Sequence, residues 1–177
     1  MKRVASLLCL MSVLMIPHAV IAADGGPIEV SGGYSYLHDQ DASSNFPSGW
    51  TASVSAAVNP RFGVVGELGG SFQMLATPST GANGHIYSFL GGARYAAYSA
   101  GRMSVFGQAL IGAVRSSLSA DSTVSPETDL AFQPGGGVDV TLVPKWAVRV
   151  QGDFRAVRVS GATTKQDRVA ASIVFKP

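Results

Sequence analysis

Trp146-Ala-Val-Arg-Val-Gln-Gly-Asp-Phe-Arg155 alternates along its whole length between two kinds of residue. One kind is apolar or glycine, and the other includes Arg149, Asp153 and Arg155. A hydrophobic period of two residues predicts a β-strand with one apolar face and one polar face. A strand that crosses a bilayer at a tilt needs about 9–11 residues. The stretch therefore has both the period and the length of a membrane-crossing strand.

The same period recurs along the chain, and no stretch has a convincing period of 3.6 residues. The predicted strands are the eight segments 28–38, 49–58, 62–73, 85–96, 103–115, 130–141, 146–155 and 168–176. The longer intervening segments, which are rich in Ser, Thr, Gly, Asn and Asp, are 39–48, 74–84, 116–129 and 156–167. The shorter ones are 59–61, 97–102 and 142–145. Long outer loops that alternate with short periplasmic turns are typical of outer-membrane barrels.

The first 23 residues have the three parts of a secretory signal peptide. Lys2 and Arg3 give a positive start, residues 4–16 are almost continuously apolar, and small residues end the segment. We therefore predict an all-β protein with a cleavable signal peptide at 1–23 and one domain at 24–177. This domain is predicted to be an eight-stranded antiparallel up-and-down transmembrane β-barrel. Cleavage one residue earlier, after Ala22, fits equally well.

Composition excludes several classes of protein. The chain has 13 Lys and Arg against 11 Asp and Glu, and loss of Lys2 and Arg3 leaves 11 of each. A neutral mature chain gives no reason to expect a nucleic-acid surface. Charged residues are 14% of the chain, against about 25% in typical soluble domains. After the leader there is no cysteine and no helix-length apolar run, which excludes a disulfide scaffold and a helical membrane span.

Aromatic residues on the apolar face lie mainly near the strand ends, as the interfacial girdles of membrane barrels require. The predicted girdle consists of Tyr34, Tyr36, Trp50, Phe72, Tyr87, Phe89, Phe132 and Phe154 toward the long loops, and of Phe62, Tyr95, Trp146 and Phe175 toward the short turns. This distribution favours lipid contact for the apolar face. The alternatives are a soluble antiparallel sandwich that buries the aromatic face and a lipocalin-like carrier that holds a ligand among the aromatics.

The opposite face carries nearly every charge that falls within a strand, and it is expected to face the barrel interior. An eight-stranded barrel is just wide enough for side chains to fill it, and buried charges are costly unless they are paired. The predicted interior charge network consists of Glu67, Arg94, Asp139, Arg149, Asp153 and Arg155. When the hairpins are treated as simple reflections, Glu67 lies close to Arg94 and Asp139 close to Arg149. A permanent internal brace is favoured over a gate whose pairs exchange and pass small ions.

An enzyme is not expected. Serine catalysis needs a histidine within reach of the hydroxyl and an acid behind the histidine. Only His38 and His85 follow the leader, and the position two residues after His85 is Tyr87 rather than serine. Neither histidine has a metal-ligand partner at a recognisable spacing. We therefore expect no cofactor and no metal.

Four stretches resemble a known family: Val30-Ser-Gly-Gly-Tyr-Ser-Tyr36, Phe132-Gln-Pro-Gly-Gly-Gly-Val-Asp-Val140, Ala147-Val-Arg-Val-Gln-Gly-Asp-Phe-Arg155 and Val169-Ala-Ala-Ser-Ile-Val-Phe175. They are similar to the small OmpA/OmpX-like outer-membrane β-barrel domains. The resemblance implies eight antiparallel strands, insertion by the barrel assembly machinery, and a plugged or narrowly conducting lumen.

The expected function is a structural or surface-interaction role in the cell outer membrane, exerted through the long extracellular loops around a plugged lumen. Outer-membrane lipid and lipopolysaccharide are the expected partners, and no motif identifies an extracellular ligand. The alternative is a narrow, low-conductance pore that is gated by the interior charge pairs. A lipid A-modifying enzyme and a soluble lipocalin-like carrier are less favoured.

Overall fold

Nine β-strands form among the residues that the structure, a computed structural model, describes, namely 28–41, 44–74, 83–120, 123–159 and 162–177. They are β1 (Ile28–Asp39), β2 (Ser44–Phe46), β3 (Ser48–Ala57), β4 (Phe62–Met74), β5 (Asn83–Ala100), β6 (Met103–Ala120), β7 (Thr123–Val143), β8 (Trp146–Val159) and β9 (Ala162–Phe175). None of the described residues forms a helix that is long and apolar enough to cross a membrane. The predicted signal peptide lies outside the described residues.

Eight of the strands close into a barrel. Each of β3 to β9 pairs antiparallel with its neighbour in sequence, β1 pairs with β3, and β9 returns to pair with β1. The ninth strand, β2, is a short addition that folds back against the end of β1, where Leu37 pairs with Phe46. The predicted eight-stranded antiparallel barrel is confirmed, with this one extra strand.

The strands are staggered around the barrel. From Val30 on β1, the paired residues on successive strands are Val54, Gly66, Gly91, Ile111, Phe132, Ala156 and Lys165. The N–H of Gln40 donates to the carbonyl of Lys165 at 3.0 Å, so one circuit ends ten residues beyond Val30. Such a stagger requires strands that tilt by roughly 35–45° from the barrel axis. Side chains from distant parts of the sequence therefore meet at one height in the lumen.

The predicted long loops at 116–129 and 156–167 are wrong, because most of their residues continue the strands. β6 and β7 pair as far as Ala120 and Thr123, and β8 and β9 pair as far as Val159 and Ala162. These segments are rich in serine and threonine, which is typical of loops. Threonine and valine are nevertheless β-branched and fit a pleated strand, and each added pair satisfies backbone N–H and C=O groups. The barrel therefore extends at this end as two long hairpins.

The short turns lie at the other end of the barrel. Residues 58–61 connect β3 to β4, Gly101 and Arg102 connect β5 to β6, and Pro144 and Lys145 connect β7 to β8. The predicted turn at 97–102 is shorter than expected, because β5 continues to Ala100. Gly101 has a φ of 57°, in the left-handed region that glycine adopts without strain.

Candidate functional site in the barrel lumen

The six residues of the predicted charge network all point into the lumen. Glu67, Arg94, Asp139, Arg149, Asp153 and Arg155 are buried, none of them more than 9% exposed. They lie in two clusters at different heights, the central cluster and the short-turn cluster.

The central cluster consists of Glu67, Asp153, Arg155 and Arg168. Arg168 lies 2.8 Å from an oxygen of Glu67 and 2.6 Å from an oxygen of Asp153. Arg155 donates through Nε to Gln133 at 2.8 Å, and Gln133 donates in turn to Glu67 at 3.0 Å. Two carboxylates and two guanidinium groups make the cluster formally neutral, which is the condition under which buried charges are tolerated.

The short-turn cluster lies below it and consists of Glu29, Arg94, Asp139, Arg149 and Lys176. Arg149 binds Asp139 through two parallel hydrogen bonds of 2.7 Å, the bidentate geometry that is strongest for this pair. Glu29 lies 3.0 Å from Arg149, 2.9 Å from Lys176 and 3.6 Å from Arg94. The carboxylate of Glu29 therefore interacts with three cations.

The ring of Phe106 stabilises two of these cations. The guanidinium carbons of Arg94 and Arg149 lie 4.4 Å and 4.7 Å from its centroid, within the range of a cation–π contact. The two like charges are held near each other by the ring and by the carboxylates around them.

Gln108 connects the two clusters, and Gln151 reinforces the central one. Gln108 accepts from Arg94 at 3.0 Å and donates to Asp153 at 3.3 Å. Gln151 donates to Asp153 at 3.0 Å. Gly135 makes room for this junction, because a Cβ there would overlap the carboxylate of Asp153. A continuous chain of hydrogen bonds therefore runs along the lower and central lumen.

The predicted contact between Glu67 and Arg94 is wrong. The register of β4 with β5 places Glu67 opposite Leu90 and Arg94 opposite Gly63, so the two side chains lie at different heights. Glu67 instead binds Arg168 from β9. The predicted contact between Asp139 and Arg149 is present, because the tight turn at Pro144 and Lys145 keeps these residues directly opposite each other.

The sequence-based network omits Arg168 and Glu29. A signal for Arg168 exists, since it precedes the outward-facing Val169 and is separated by an even number of residues from the interior Ser172. Its partners were not predictable, because they lie on other strands and depend on the stagger.

An apolar cap lies in the lumen toward the long hairpins. It consists of Leu37, Phe46, Ile86, Val114 and Val157, all buried. Phe46 belongs to β2, so the extra strand delivers a ring to the end of the barrel. This layer was not predictable from the sequence, because residues 39–48 have the composition of a loop.

The predicted girdle residues lie on the outer wall. Tyr34, Tyr36, Trp50, Tyr87, Phe89, Tyr95, Phe132, Trp146 and Phe154 are exposed, and Phe72 and Phe175 are half-buried. Neighbouring rings contact each other in pairs, with centroids 5.0 Å apart for Phe62 and Tyr95 and 4.8 Å apart for Trp146 and Phe175. The middle of the wall is exposed and aliphatic, with residues such as Ile111 and Val150.

The two histidines have separate surroundings. His38 lies 2.7 Å from the side-chain oxygen of Asn45 through Nδ1, and the His85 ring meets the ring of Phe72 edge-on. Among the described residues no three His, Cys, Asp or Glu side chains form a group that could hold a metal ion.

A family model for the outer membrane protein beta-barrel domain matches residues 5–175 of the chain. The chain belongs to this family. Membership confirms the resemblance to small outer-membrane barrels, and it locates this outer membrane protein beta-barrel domain in the cell outer membrane. Comparison with curated protein sequences gives no match.

Solved structures of small outer-membrane barrels share the fold of this outer membrane protein beta-barrel domain. Neisserial surface protein A has a TM-score of 0.63 at 12% identity, with 85% of this chain and 96% of that chain covered. The attachment invasion locus protein Ail of Yersinia pestis has a TM-score of 0.58 at 14% identity, covering 85% and 99%. The N-terminal barrel of Pseudomonas aeruginosa OprF has a TM-score of 0.59 at 10% identity, covering 85% and 99%. At these identities the likeness concerns the fold alone.

Proposed function

We propose that this protein is an outer-membrane barrel with a plugged lumen that acts at the cell surface through its two long hairpins. Its short turns are proposed to face the periplasm, as in bacterial barrels generally. The observation that supports the proposal is the filling of the lumen, where two ion-paired charge clusters lie beneath an apolar cap.

The charge clusters oppose ion passage for an electrostatic reason. An ion that moved past Asp153 and Arg168 would have to replace a contact of 2.6 Å in a water-poor interior. Breaking one partner away from a buried pair costs about 3–5 kcal/mol. An ion would then meet the apolar side chains of the cap, which offer no polar group in place of its water shell. The buried Asp39 nearby already accepts a hydrogen bond from Gln166 at 3.0 Å.

The hairpins support a role in surface interaction. β6–β7 and β8–β9 continue beyond the upper aromatic residues and carry exposed polar side chains such as Arg115, Arg158 and Lys165. We propose that these cations lie at the height of the lipid headgroups and contact the phosphates of lipopolysaccharide in the outer leaflet. We also propose that the barrel assembly machinery inserts this protein, because that machinery inserts outer-membrane barrels.

We also propose that the protein is not an enzyme. His38 forms a hydrogen bond with the side chain of Asn45 rather than with a serine hydroxyl. Ser88, the serine nearest His85 in sequence, faces the lumen and accepts a hydrogen bond from Arg155 at 3.3 Å. These contacts give neither histidine the geometry of a general base for a serine nucleophile.

Planar-bilayer recording of the refolded protein tests the plug. The wild type is expected to give no conductance steps, whereas Arg149→Ala and Arg94→Ala are expected to give small ones. Arg149→Ala leaves Asp139 without its cation, and Arg94→Ala removes a guanidinium group that fills the lumen against Phe106. Arg115→Ala is the matched control, because its side chain is exposed on the outer wall. Steady steps from the wild type would instead support the narrow pore gated by charge pairs.

A further inference from the structure

A cleft opens at the short-turn end of the barrel, between the turn from β3 to β4 and the lumen. Its volume is about 310 Å³, and its lining includes Glu29, Asn59, Arg61, Phe62, Arg94 and Ser99. The turn is fixed by its own hydrogen bonds. The side-chain oxygen of Asn59 accepts from the N–H groups of Arg61 at 2.9 Å and Phe62 at 2.8 Å. The amide nitrogen of Asn59 remains as a donor at the cleft.

The cleft has a surplus of positive charge. Arg61 and Arg94 are its cations and Glu29 is its carboxylate. Glu29 is already shared with Arg149 at 3.0 Å and with Lys176 at 2.9 Å. Arg61 is exposed, and within the described part of the chain it makes no ion pair. The site therefore favours an anion.

An apolar groove of about 210 Å³ lies on the outer wall beside this cleft and shares Phe62 and Arg94 with it. The other lining residues include Ala93, Tyr95, Gly107 and Ala109. Tyr95 pairs with Gly107 and Ala93 with Ala109. Three small residues thus form the floor of the groove, and the paired rings of Phe62 and Tyr95 form its edge.

We propose that the cleft and the groove together bind one anionic glycerophospholipid of the inner leaflet. The phosphate lies between Arg61 and Arg94, with Asn59 and Ser99 as further donors. An acyl chain follows the groove over Gly107. A cationic pocket at headgroup height beside an apolar surface is the arrangement that recognises anionic lipids in other membrane proteins. The assignment to the inner leaflet rests on the proposed orientation of the barrel, whereas the binding itself does not.

Native mass spectrometry of the refolded full barrel tests the headgroup half of the site. Phosphatidylglycerol is expected to be retained more strongly than phosphatidylcholine with identical acyl chains. Arg61→Gln is expected to weaken phosphatidylglycerol binding about fivefold, which corresponds to about 1 kcal/mol for one cation at a membrane surface. Arg102→Gln is the matched control, since Arg102 is an exposed cation on the neighbouring turn and does not line the cleft.

Gly107→Leu tests the groove. The nearest atom to a Cβ at Gly107 is the carbonyl oxygen of Gly135 at 3.9 Å, so the barrel accommodates a side chain there. The leucine is expected to occupy the groove and to weaken phosphatidylglycerol binding. Gly66→Leu is the control, because a Cβ there has no neighbour within 4 Å and the residue lies outside the groove. Gel mobility without heating reports whether each variant is folded.

Three results would overturn the proposal. Equal losses from Arg61→Gln and Arg102→Gln would mean diffuse attraction to a cationic rim. Equal retention of the two lipids would mean that no headgroup is recognised. Full competition by inorganic phosphate, together with unchanged binding in Gly107→Leu, would mean a bare anion site. Since the assay uses detergent-solubilised protein, its failure leaves the conductance test of the plug unaffected.

Discussion

Glycines in the barrel wall occupy two different environments, and this difference predicts the effect of replacing them. Gly92 faces the lumen side, and a Cβ there would overlap the backbone carbonyl of Ala109 on β6. Gly66 faces outward, and a Cβ there meets nothing within 4 Å. Glycine in a strand is less stable than alanine by roughly 0.5–1 kcal/mol when the site has room.

We expect Gly92→Ala to lower the free energy of unfolding by about 1–3 kcal/mol, as overpacked sites do. Gly66→Ala is expected to be neutral or to raise it by about 0.5–1 kcal/mol. Urea unfolding of the two variants in liposomes measures both changes. Equal destabilisation by the two substitutions would contradict the division between crowded and open glycines.

Arg168 connects two carboxylates of the central cluster, so its loss is expected to be costly. Arg168→Ala leaves Glu67 and Asp153 without their shared cation, and removing one member of a buried pair costs about 3–5 kcal/mol. Urea unfolding of the double variant Asp153→Asn/Arg168→Gln tests whether the loss arises from charge imbalance. This double variant keeps the cluster neutral with Glu67 and Arg155, and we expect it to recover part of the loss. A double variant as unstable as Arg168→Ala would show that packing, rather than charge balance, is what Arg168 supplies.

At the scale of the element, the three-residue strand β2 has an effect out of proportion to its length. It places Phe46, which is 8% exposed, against Leu37 and the other cap residues. Phe46→Ala is expected to lower the unfolding free energy by about 3 kcal/mol through loss of buried contacts. Conductance is expected to stay at the wild-type level, because the charge clusters below remain intact. Ser48→Ala, exposed at the start of β3, is the control for stability. Conductance steps from Phe46→Ala would mean that the charge clusters alone do not seal the lumen.

The strands differ in how far their sequence predicts them. The strand stretch Trp146–Arg155 and its neighbour across the turn at Pro144 and Lys145 were predictable, since alternation fixes the faces and a two-residue turn fixes the register. The partner of Glu67 was not predictable, because β4 and β5 are joined by a longer connection that leaves their register open. The observed register differs by a few residues from a simple reflection of the hairpin, and it places Glu67 opposite Leu90 rather than near Arg94. The contact between β4 and β9 depends on the stagger of the closed barrel, which no local pattern encodes.

At the scale of the whole molecule, charge is divided by location. The lumen holds Arg94, Arg149, Arg155 and Arg168 against Glu29, Glu67, Asp139 and Asp153, and Lys176 and the buried Asp39 add one charge of each sign. Each of the three short turns carries one exposed cation, namely Arg61, Arg102 and Lys145. The near-neutral chain therefore combines an internally balanced core with a cationic rim, and the rim suits the anionic headgroups that a membrane protein meets.

The orientation of the barrel in the outer membrane has a direct test. Cys9, the chain's single cysteine, lies in the predicted signal peptide, so the mature barrel provides a cysteine-free background. Thr163→Cys is exposed on the β8–β9 hairpin, and Lys145→Cys is exposed on the turn between β7 and β8. A membrane-impermeant maleimide on intact cells is expected to label the first and to reach the second only after the outer membrane is permeabilised. Both react in detergent, which controls for exposure. Labelling of Lys145→Cys alone on intact cells would mean that the short turns face outward, and the hairpins would then have no access to the cell surface.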